Sequence, residues 1–452
     1  MRQTRREFLK TSAAALALGR IGMAQESKPN FVIIYTDDHG YGDVGCFGAK
    51  DLLTPNLDAL ARDGVRFTSW YSNSPVCSPS RASLLTGRYP SRAGVPHILG
   101  GKRGATPGLP PTEITLAKAL KQVGYTSGIF GKWHLGTTKE CTPNAHGFAE
   151  FFGILSGCVD YYSHIFYWGQ GRGMNPLHDL WHDDREVWHN GQYLTELLTE
   201  KAVEFIERVK EPFLLYVPYN APHYPMHAPQ KYLDRFPDLT PERRIMAAMI
   251  AAVDDGVREI VKALQRKGMY ENTVVFVSSD NGPSSESRNW LDGRDEPYYG
   301  GSAGILRAHK ASLFEGGIRV PAIMAWPGRI PGSKVCDKVG AMMDVFPTFL
   351  DIAGARIPND RTIDGLSILE MSNGGRSPHS EVFWEYGDQL AVRRGKWKLV
   401  LNGKLDFGRD APDPVHLADL EADPGEIVNL KDREPALVED LTRAANAWKA
   451  AL

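Results

Sequence analysis

Between about residues 30 and 350, short unbroken apolar runs alternate with stretches that carry apolar residues at helical spacing. Asn30–Thr36, Phe213–Val217 and Thr273–Ser278 read as strands. Their apolar residues are continuous rather than every second one, as strands covered on both faces require. Between them, Leu194, Leu197, Leu198, Phe205, Ile206 and Val209 fall on helical spacing. So do Ile245, Met249, Val253, Val257, Ile260 and Leu264, after Pro241 as a first-turn residue. Strand and helix in alternation predict an α/β domain built on a large, mostly parallel central sheet.

That pattern fades near residue 357. Ile357–Ser377 is rich in Gly, Pro, Asn, Arg and Ser and reads as a connection to a smaller tail. Strand-like runs at Glu381–Tyr386 and Trp397–Leu401, then a helix over about Glu434–Ala450, predict the content of that tail. At the other end, Thr4-Arg5-Arg6-Glu7-Phe8-Leu9-Lys10 reads as a twin-arginine export signal. A short apolar stretch at Ala13–Leu18 and small residues at Gly22-Met23-Ala24 follow it. The stretch is too short to span a bilayer, and no later segment looks transmembrane, so an integral membrane protein is not expected. The expected division is a leader over 1–24, a large α/β domain over 25–360 and a small C-terminal subdomain over 361–452. Export by the twin-arginine machinery predicts a periplasmic or secreted protein. Lys plus Arg number 52 and Asp plus Glu 54, with no basic stripe, which excludes nucleic acid as the expected partner.

The chain has five cysteines and no C-x-x-C pair, which argues against a zinc ribbon or a thioredoxin-type centre. An odd number in an exported chain asks for one special thiol, and Cys77 is the candidate. Cys46, Cys141, Cys158 and Cys336 either form disulfides or stay as buried free thiols. Cys77 opens the string Cys77-Ser78-Pro79-Ser80-Arg81-Ala82-Ser83-Leu84-Leu85-Thr86-Gly87. Pro79 suits a first helical turn and Gly87 a helix end, so Cys77 stands at a helix N-terminus. Free backbone N–H groups there favour anions. Arg81 lies about one turn on and can face the same site. A nucleophile, an anion-attracting helix end and a fixed guanidinium suit a sulfate or phosphate ester.

Acidic residues follow two of the strands: Asp37-Asp38 after the first and Asp280-Asn281 after the third. Open α/β sheets bind ligands at the carboxyl ends of their strands. Asp37, Asp38, Asp280 and Asn281 would form an all-oxygen cluster, the donor set preferred by hard cations such as Ca²⁺ or Mg²⁺. Bases and cations follow further apolar runs, in Gly131-Lys132-Trp133-His134, in Asn220-Ala221-Pro222-His223 and in His309-Lys310.

The string C-x-P-x-R followed by A-S-L-L-T-G resembles the signature of type I sulfatases, the family of the arylsulfatases and N-acetylgalactosamine-6-sulfatase. Gly131-Lys132-Trp133-His134, Ala221-Pro222-His223 and Lys310 with Glu315-Gly316-Gly317 are similar to further motifs of that family, in the same order. Asp43–Gly48 and, in the tail, His416–Leu420, Asp423–Glu426 and Asn429-Leu430 extend the resemblance over nearly the whole mature chain. The resemblance implies an alkaline-phosphatase-like sandwich with a small C-terminal antiparallel sheet and helix. It implies that Cys77 is oxidised to formylglycine by a formylglycine-generating enzyme. One hydroxyl of the hydrated aldehyde would attack sulfur to give a sulfo-enzyme, and the other would lose its proton to expel sulfate. It further implies a calcium site, with magnesium as the substitute, at Asp37, Asp38, Asp280, Asn281 and residue 77. Lys132, His223 and Lys310 would hold the sulfate oxygens, His134 would take the proton of the second hydroxyl, and Arg81 would orient the hydrate. His223 or Lys310 would protonate the leaving alcohol. The expected substrate is a sulfated saccharide or another small organic sulfate.

Two other functions fit parts of the same pattern. One is a phosphate or phosphonate ester hydrolase with the same chemistry, and the other is an exported binding protein whose Cys77 stays unmodified. His178 with His182, and His223 with His227, have a spacing used by zinc sites, but neither pair has the Glu of the zinc-protease motif. Asp160-Tyr161-Tyr162, Trp168, Trp181 and the loop from Trp290 to Tyr299 either line a sugar pocket or pack a long loop.

Overall fold

The structure is a computed structural model and describes residues 28–166, 176–286, 299–405 and 412–452. The leader expected over 1–24, Trp168 and all but Tyr299 of the loop from Trp290 lie outside the described residues.

The central sheet has ten strands. In chain order they are β1 (Asn30–Thr36), β2 (Gly64–Phe67), β3 (Thr126–Lys132), β4 (Glu150–Ile154), β5 (Trp181–His182), β6 (Arg185–Glu186), β7 (Phe213–Pro218), β8 (Thr273–Ser279), β9 (Ala322–Ala325) and β10 (Lys334–Cys336). Their spatial order is β10-β2-β9-β8-β1-β7-β3-β4-β5-β6. The run from β8 to β4 is parallel throughout; Ile33 of β1, for example, stands between Phe276 and Tyr216. Antiparallel strands flank this run on both sides, β9 beside β8 and β5 beside β4.

Helices cover both faces of the sheet: α1 (Pro55–Asp63), α2 (Cys77–Thr86), α3 (Leu116–Lys121), α4 (Leu194–Arg208), α5 (Pro241–Arg266) and α6 (Val345–Ala353). Every residue of β1 is buried because its two faces meet two separate cores. Val32 and Ile34 pack with side chains of α1, α4 and α5. Phe31, Ile33 and Tyr35 pack with side chains of α2, α3 and α6. Each such side chain withdrawn from water contributes about 1.5–3 kcal/mol, which is why a strand covered on both sides is apolar throughout.

The C-terminal part forms a four-stranded antiparallel sheet, β11 (Glu381–Tyr386), β12 (Gln389–Arg394), β13 (Trp397–Gly403) and β14 (Asp413–Asp419), followed by α7 (Pro435–Ala450). One face packs Leu390, Val392, Leu399 and Leu417 on Leu441 and Ala445 of α7. The other packs Trp384, Ala391 and Val400 on Tyr71, Leu313 and Phe314. Within this contact Lys398 is buried between Glu315, at 2.9 Å, and Glu426, at 3.0 Å. Burial alone would raise the Glu315 carboxyl, but Lys398, Arg319 and Arg393 hold it down at about 2. The expected connection over 357–377 contains one helical turn, Leu369–Ser372.

All five cysteines are free thiols, so the disulfide alternative for Cys46, Cys141, Cys158 and Cys336 falls. Among the described residues, no helix is long and apolar enough to cross a membrane.

Candidate active site

The parallel strands end together, and the predicted chemistry lies at that edge. Asp37 and Asp38 follow β1, Lys132 closes β3, Asn220 and His223 follow β7, and Asp280 and Asn281 follow β8. Helix α2 places its first residue, Cys77, at the same edge, buried at 2% exposure. Val76 is extended before it. Gly87 ends the helix at φ 70° and donates its N–H to Ser83 O. A side chain at position 87 would strike Phe346 at 2.8 Å, so this turn needs glycine on two counts.

Arg81 reaches from α2 to the acidic cluster. Its Nη2 lies 2.6 Å from Asp280 Oδ2 and 3.4 Å from Asp37 Oδ1, and its Nη1 donates to Lys132 O at 3.2 Å. Lys132 Nζ donates to Asp37 Oδ2 at 2.6 Å. Lys310 Nζ donates to Asp38 Oδ2 at 2.9 Å and to Glu286 Oε2 at 2.7 Å. Asn281 Nδ2 donates to Asp38 Oδ1 at 2.7 Å, and the Asp38 backbone N–H donates to Asp280 Oδ1 at 3.1 Å. Asp38, just past the end of β1, holds φ 61°, a sparsely populated conformation for a residue other than glycine.

The electrostatics follow from burial. Burial, with Asp37, Glu286 and Asp280 nearby, pushes Asp38 up to about 8 against the pull of Lys310. Burial and Asp37 also raise Asp280. Burial would raise Asp37 too, but Lys132 and Arg81 outweigh it and hold that carboxyl down. Burial lifts the Cys77 thiol to about 11, so at neutral pH it carries its proton and is a poor nucleophile as a thiol. Burial, Lys132 and Arg81 hold His134 neutral, and burial, Lys310 and Lys132 do the same for His223. His134 Nε2 lies 2.9 Å from Leu99 O and so donates to it, which leaves Nδ1 with its lone pair and no hydrogen-bond partner. His223 Nδ1 donates to Tyr224 O at 2.7 Å, and its Nε2 lies 3.6 Å from Asp38.

The donor set fits a divalent cation. Ligand atoms of Asp37, Cys77 and Asp280 lie within 4.8 Å of one another, as do those of Asp37, Asp38 and His223. Asn281 Oδ1 is buried without a hydrogen bond, and Asp37 Oδ1, also without one, has the Arg81 ion pair at 3.4 Å. Buried oxygens left without a hydrogen bond in a cluster of carboxylates are what a hard cation completes.

A family model described as Sulfatase matches residues 29–355. The chain belongs to the sulfatase family. A second model, described as N-sulphoglucosamine sulphohydrolase, C-terminal, matches residues 308–446. The chain is 38% identical to N-acetylgalactosamine-6-sulfatase of Canis lupus familiaris, over 85% of this chain and 73% of that protein. It is 33% identical to arylsulfatase J of Mus musculus, over 93% of this chain and 76% of that protein. The crystal structure of Ps i-CgsB in complex with k-i-k-neocarrahexaose superposes with a TM-score of 0.82 at 33% identity, covering 93% of this chain and 92% of that one. The architecture is the alkaline-phosphatase-like one of these enzymes, and the chain is a sulfuric ester hydrolase. The family uses a metal ion and a formylglycine.

In this sulfatase all the expected site residues meet at one edge. Cys77, His134, His223 and Lys310 line a single pocket of about 60 Å³, with Leu99, Gly157, Cys158, Tyr224 and Glu286. Arg81, Lys132, Asp37, Asp38, Asp280 and Asn281 are all buried, and Asp38 joins them to the pocket through Lys310. The histidine pairs at zinc-like spacing do not converge: His178 bonds Glu186, His182 faces Glu150, and His227 faces Asp160. Tyr161 is core rather than pocket wall. It stacks on Tyr193, and its hydroxyl donates to Asn220 O and His223 O, both at 2.8 Å. Trp181 lies under Arg103 and donates to Asp179.

Three residues escaped the sequence reading. Glu286 lines the pocket and binds Lys310, but it lies in an irregular Ser-rich segment with no motif around it. Asn220 is fully buried with both side-chain polar atoms unbonded; only its place two residues past β7 hinted at a role. Gly157 touches the His134 ring, where an added Cβ would come within 2.7 Å.

Proposed function

We propose that this sulfatase removes sulfate from a saccharide sulfate ester after export, using formylglycine at position 77 and a calcium ion held by Asp37, Asp38, Asp280 and Asn281. One observation carries the reading: Cys77 is buried against an oxygen cluster with acceptors left without a hydrogen bond and is ringed by Arg81, Lys132 and Lys310. Formylglycine would supply a hydrated aldehyde, with one hydroxyl as the nucleophile and the second as the route by which sulfate leaves. Calcium would supply positive charge against the sulfate oxygens.

The chain's own residues do the rest. Lys132, Lys310 and His223 bind the sulfate oxygens in a pocket that excludes most water, where fixed charges act strongly. Arg81 is locked by Asp280 and Asp37 and orients the group at position 77. His134, neutral and with Nδ1 free of hydrogen bonds, takes the proton that sulfate release requires. Lys310 or His223 protonates the leaving alcohol. Lys310 is the one that already carries a proton, because Asp38 and Glu286 keep its pKa high against burial.

A saccharide is favoured by what the relatives are named for: a galactosamine 6-sulfate in one, and a bound neocarrahexaose in the other. Export rests on Arg5-Arg6 and the apolar stretch after them, with maturation of Cys77 by a formylglycine-generating enzyme. The test is sulfate release from a panel of sulfated mono- and oligosaccharides, run beside matched phosphate esters. Release from at least one saccharide sulfate, with phosphate esters much poorer, is expected. Turnover confined to phosphate or phosphonate esters would overturn the reading.

A further inference from the structure

Around Cys77 the described residues form one closed set of ion pairs: Asp37, Asp38, Asp280 and Glu286 against Arg81, Lys132 and Lys310. A sulfate monoester entering this set carries one negative charge, whereas a phosphate monoester is close to a dianion above pH 7.

Glu286 differs from the other three carboxylates. The Asp37, Asp38 and Asp280 side chains are at most 1% exposed and border the metal cluster, whereas Glu286 is 16% exposed and lines the substrate pocket. Its partners are Lys310 at 2.7 Å and, more distantly, His223 Nε2 at 4.0 Å, and both line the same pocket. It offers nothing to the cation cluster. Its charge subtracts from the positive potential felt by the substrate anion.

We infer that Glu286 sets the charge balance of the pocket, so that the site prefers monoanionic sulfate esters to dianionic phosphate monoesters and holds its dianionic product, inorganic sulfate, only weakly. This rests on the sulfatase reading and the cation site above, and deepens them by naming the residue that discriminates. A unit charge a few ångströms away in a poorly hydrated pocket changes anion affinity severalfold, and twice as much in free energy for a dianion as for a monoanion.

The test is calorimetric titration of the full-length, calcium-loaded protein with inorganic sulfate, a dianion, and with methanesulfonate, a monoanion of similar shape that is not hydrolysed. Glu286→Gln keeps the size and an acceptor for Lys310 but removes the charge, and Glu286→Asp keeps the charge. The ratio of dianion to monoanion affinity should rise about tenfold in Glu286→Gln and stay near wild type in Glu286→Asp. The kcat/KM ratio of phenyl phosphate to phenyl sulfate should rise in parallel. An unchanged affinity ratio in Glu286→Gln, weaker binding of both anions, or equal effects of the two variants would overturn the inference and leave Glu286 as a positioning residue for Lys310. If the wild-type protein releases sulfate from no ester, the sulfatase reading fails instead, and that result is separate from the affinity ratio.

Discussion

Asn281 donates its side-chain N–H to Asp38 Oδ1 at 2.7 Å, and that bond leaves its own Oδ1 buried without a hydrogen bond. A second donation, to Gly282 O at 2.9 Å, fixes the amide so that oxygen and nitrogen cannot exchange places without losing both bonds. The oxygen is thus presented to the space between the carboxylates. Asn281→Ala is expected to weaken calcium binding by about 10–100-fold while the fold survives. Metal titration followed by circular dichroism checks this, and wild-type calcium affinity in the variant would contradict the role.

Gly157 is a second pressure point. A Cβ there would meet His134 Cε1 at 2.7 Å, and His134 itself sits at φ 54° with its ring buried. Gly157→Ala should displace the ring and cut kcat by at least about tenfold, at a stability cost of about 1–3 kcal/mol. Wild-type kcat in this variant would show that the ring position does not matter.

The buried pair of Lys132 and Asp37 couples stability to the site. Lys132→Met leaves the Asp37 carboxylate, among the described residues, with one ion pair, to Arg81 at 3.4 Å. Removing one partner of such a pair costs about 3–5 kcal/mol. Urea unfolding of the calcium-free protein should show a loss of this size, together with loss of turnover.

The stability of this chain should fall on acidification through a window set partly by His146. Burial, helped by Lys118, pushes its imidazole down to about 4, with Nε2 bonded to Leu109 O. In the unfolded chain it titrates near 6.5. Between those values the unfolded state binds the extra proton, so stability is full above 6.5 and declines as pH falls toward 4. His146→Gln should flatten that decline by up to about 3 kcal/mol. Melting curves from pH 7 to 4 test it, and an equally steep decline in the variant would contradict it.

What the sequence disclosed follows from how local each signal is. β1, β7 and β8 are buried on both faces, so unbroken apolar runs mark them. The helix from Cys77 shows in its proline and terminal glycine, and α5 shows in a long regular repeat after Pro241. The short strands β2, β9 and β10 escaped notice: with 4, 4 and 3 residues they carry too little pattern, and their neighbours fix them. Asp37, Asp38, Asp280 and Asn281 were legible because strand ends gather ligands. Glu286 and Gly157 were not, because their roles come from side chains more than twenty residues away, Lys310 and His134. For Tyr161 the sequence leaves a pocket wall and a packed loop equally open, and the structure decides for packing, with its hydroxyl spent on the carbonyls of Asn220 and His223.

The central claim is that chemistry at position 77 depends on an aldehyde rather than a thiol. Preparations made with varying amounts of a formylglycine-generating enzyme will differ in the fraction of Cys77 peptide that is lighter than the thiol form by mass spectrometry. Sulfate release per mole of protein should rise in proportion to that fraction and vanish where it is zero. Undiminished release from protein whose residue 77 is wholly thiol would contradict the account.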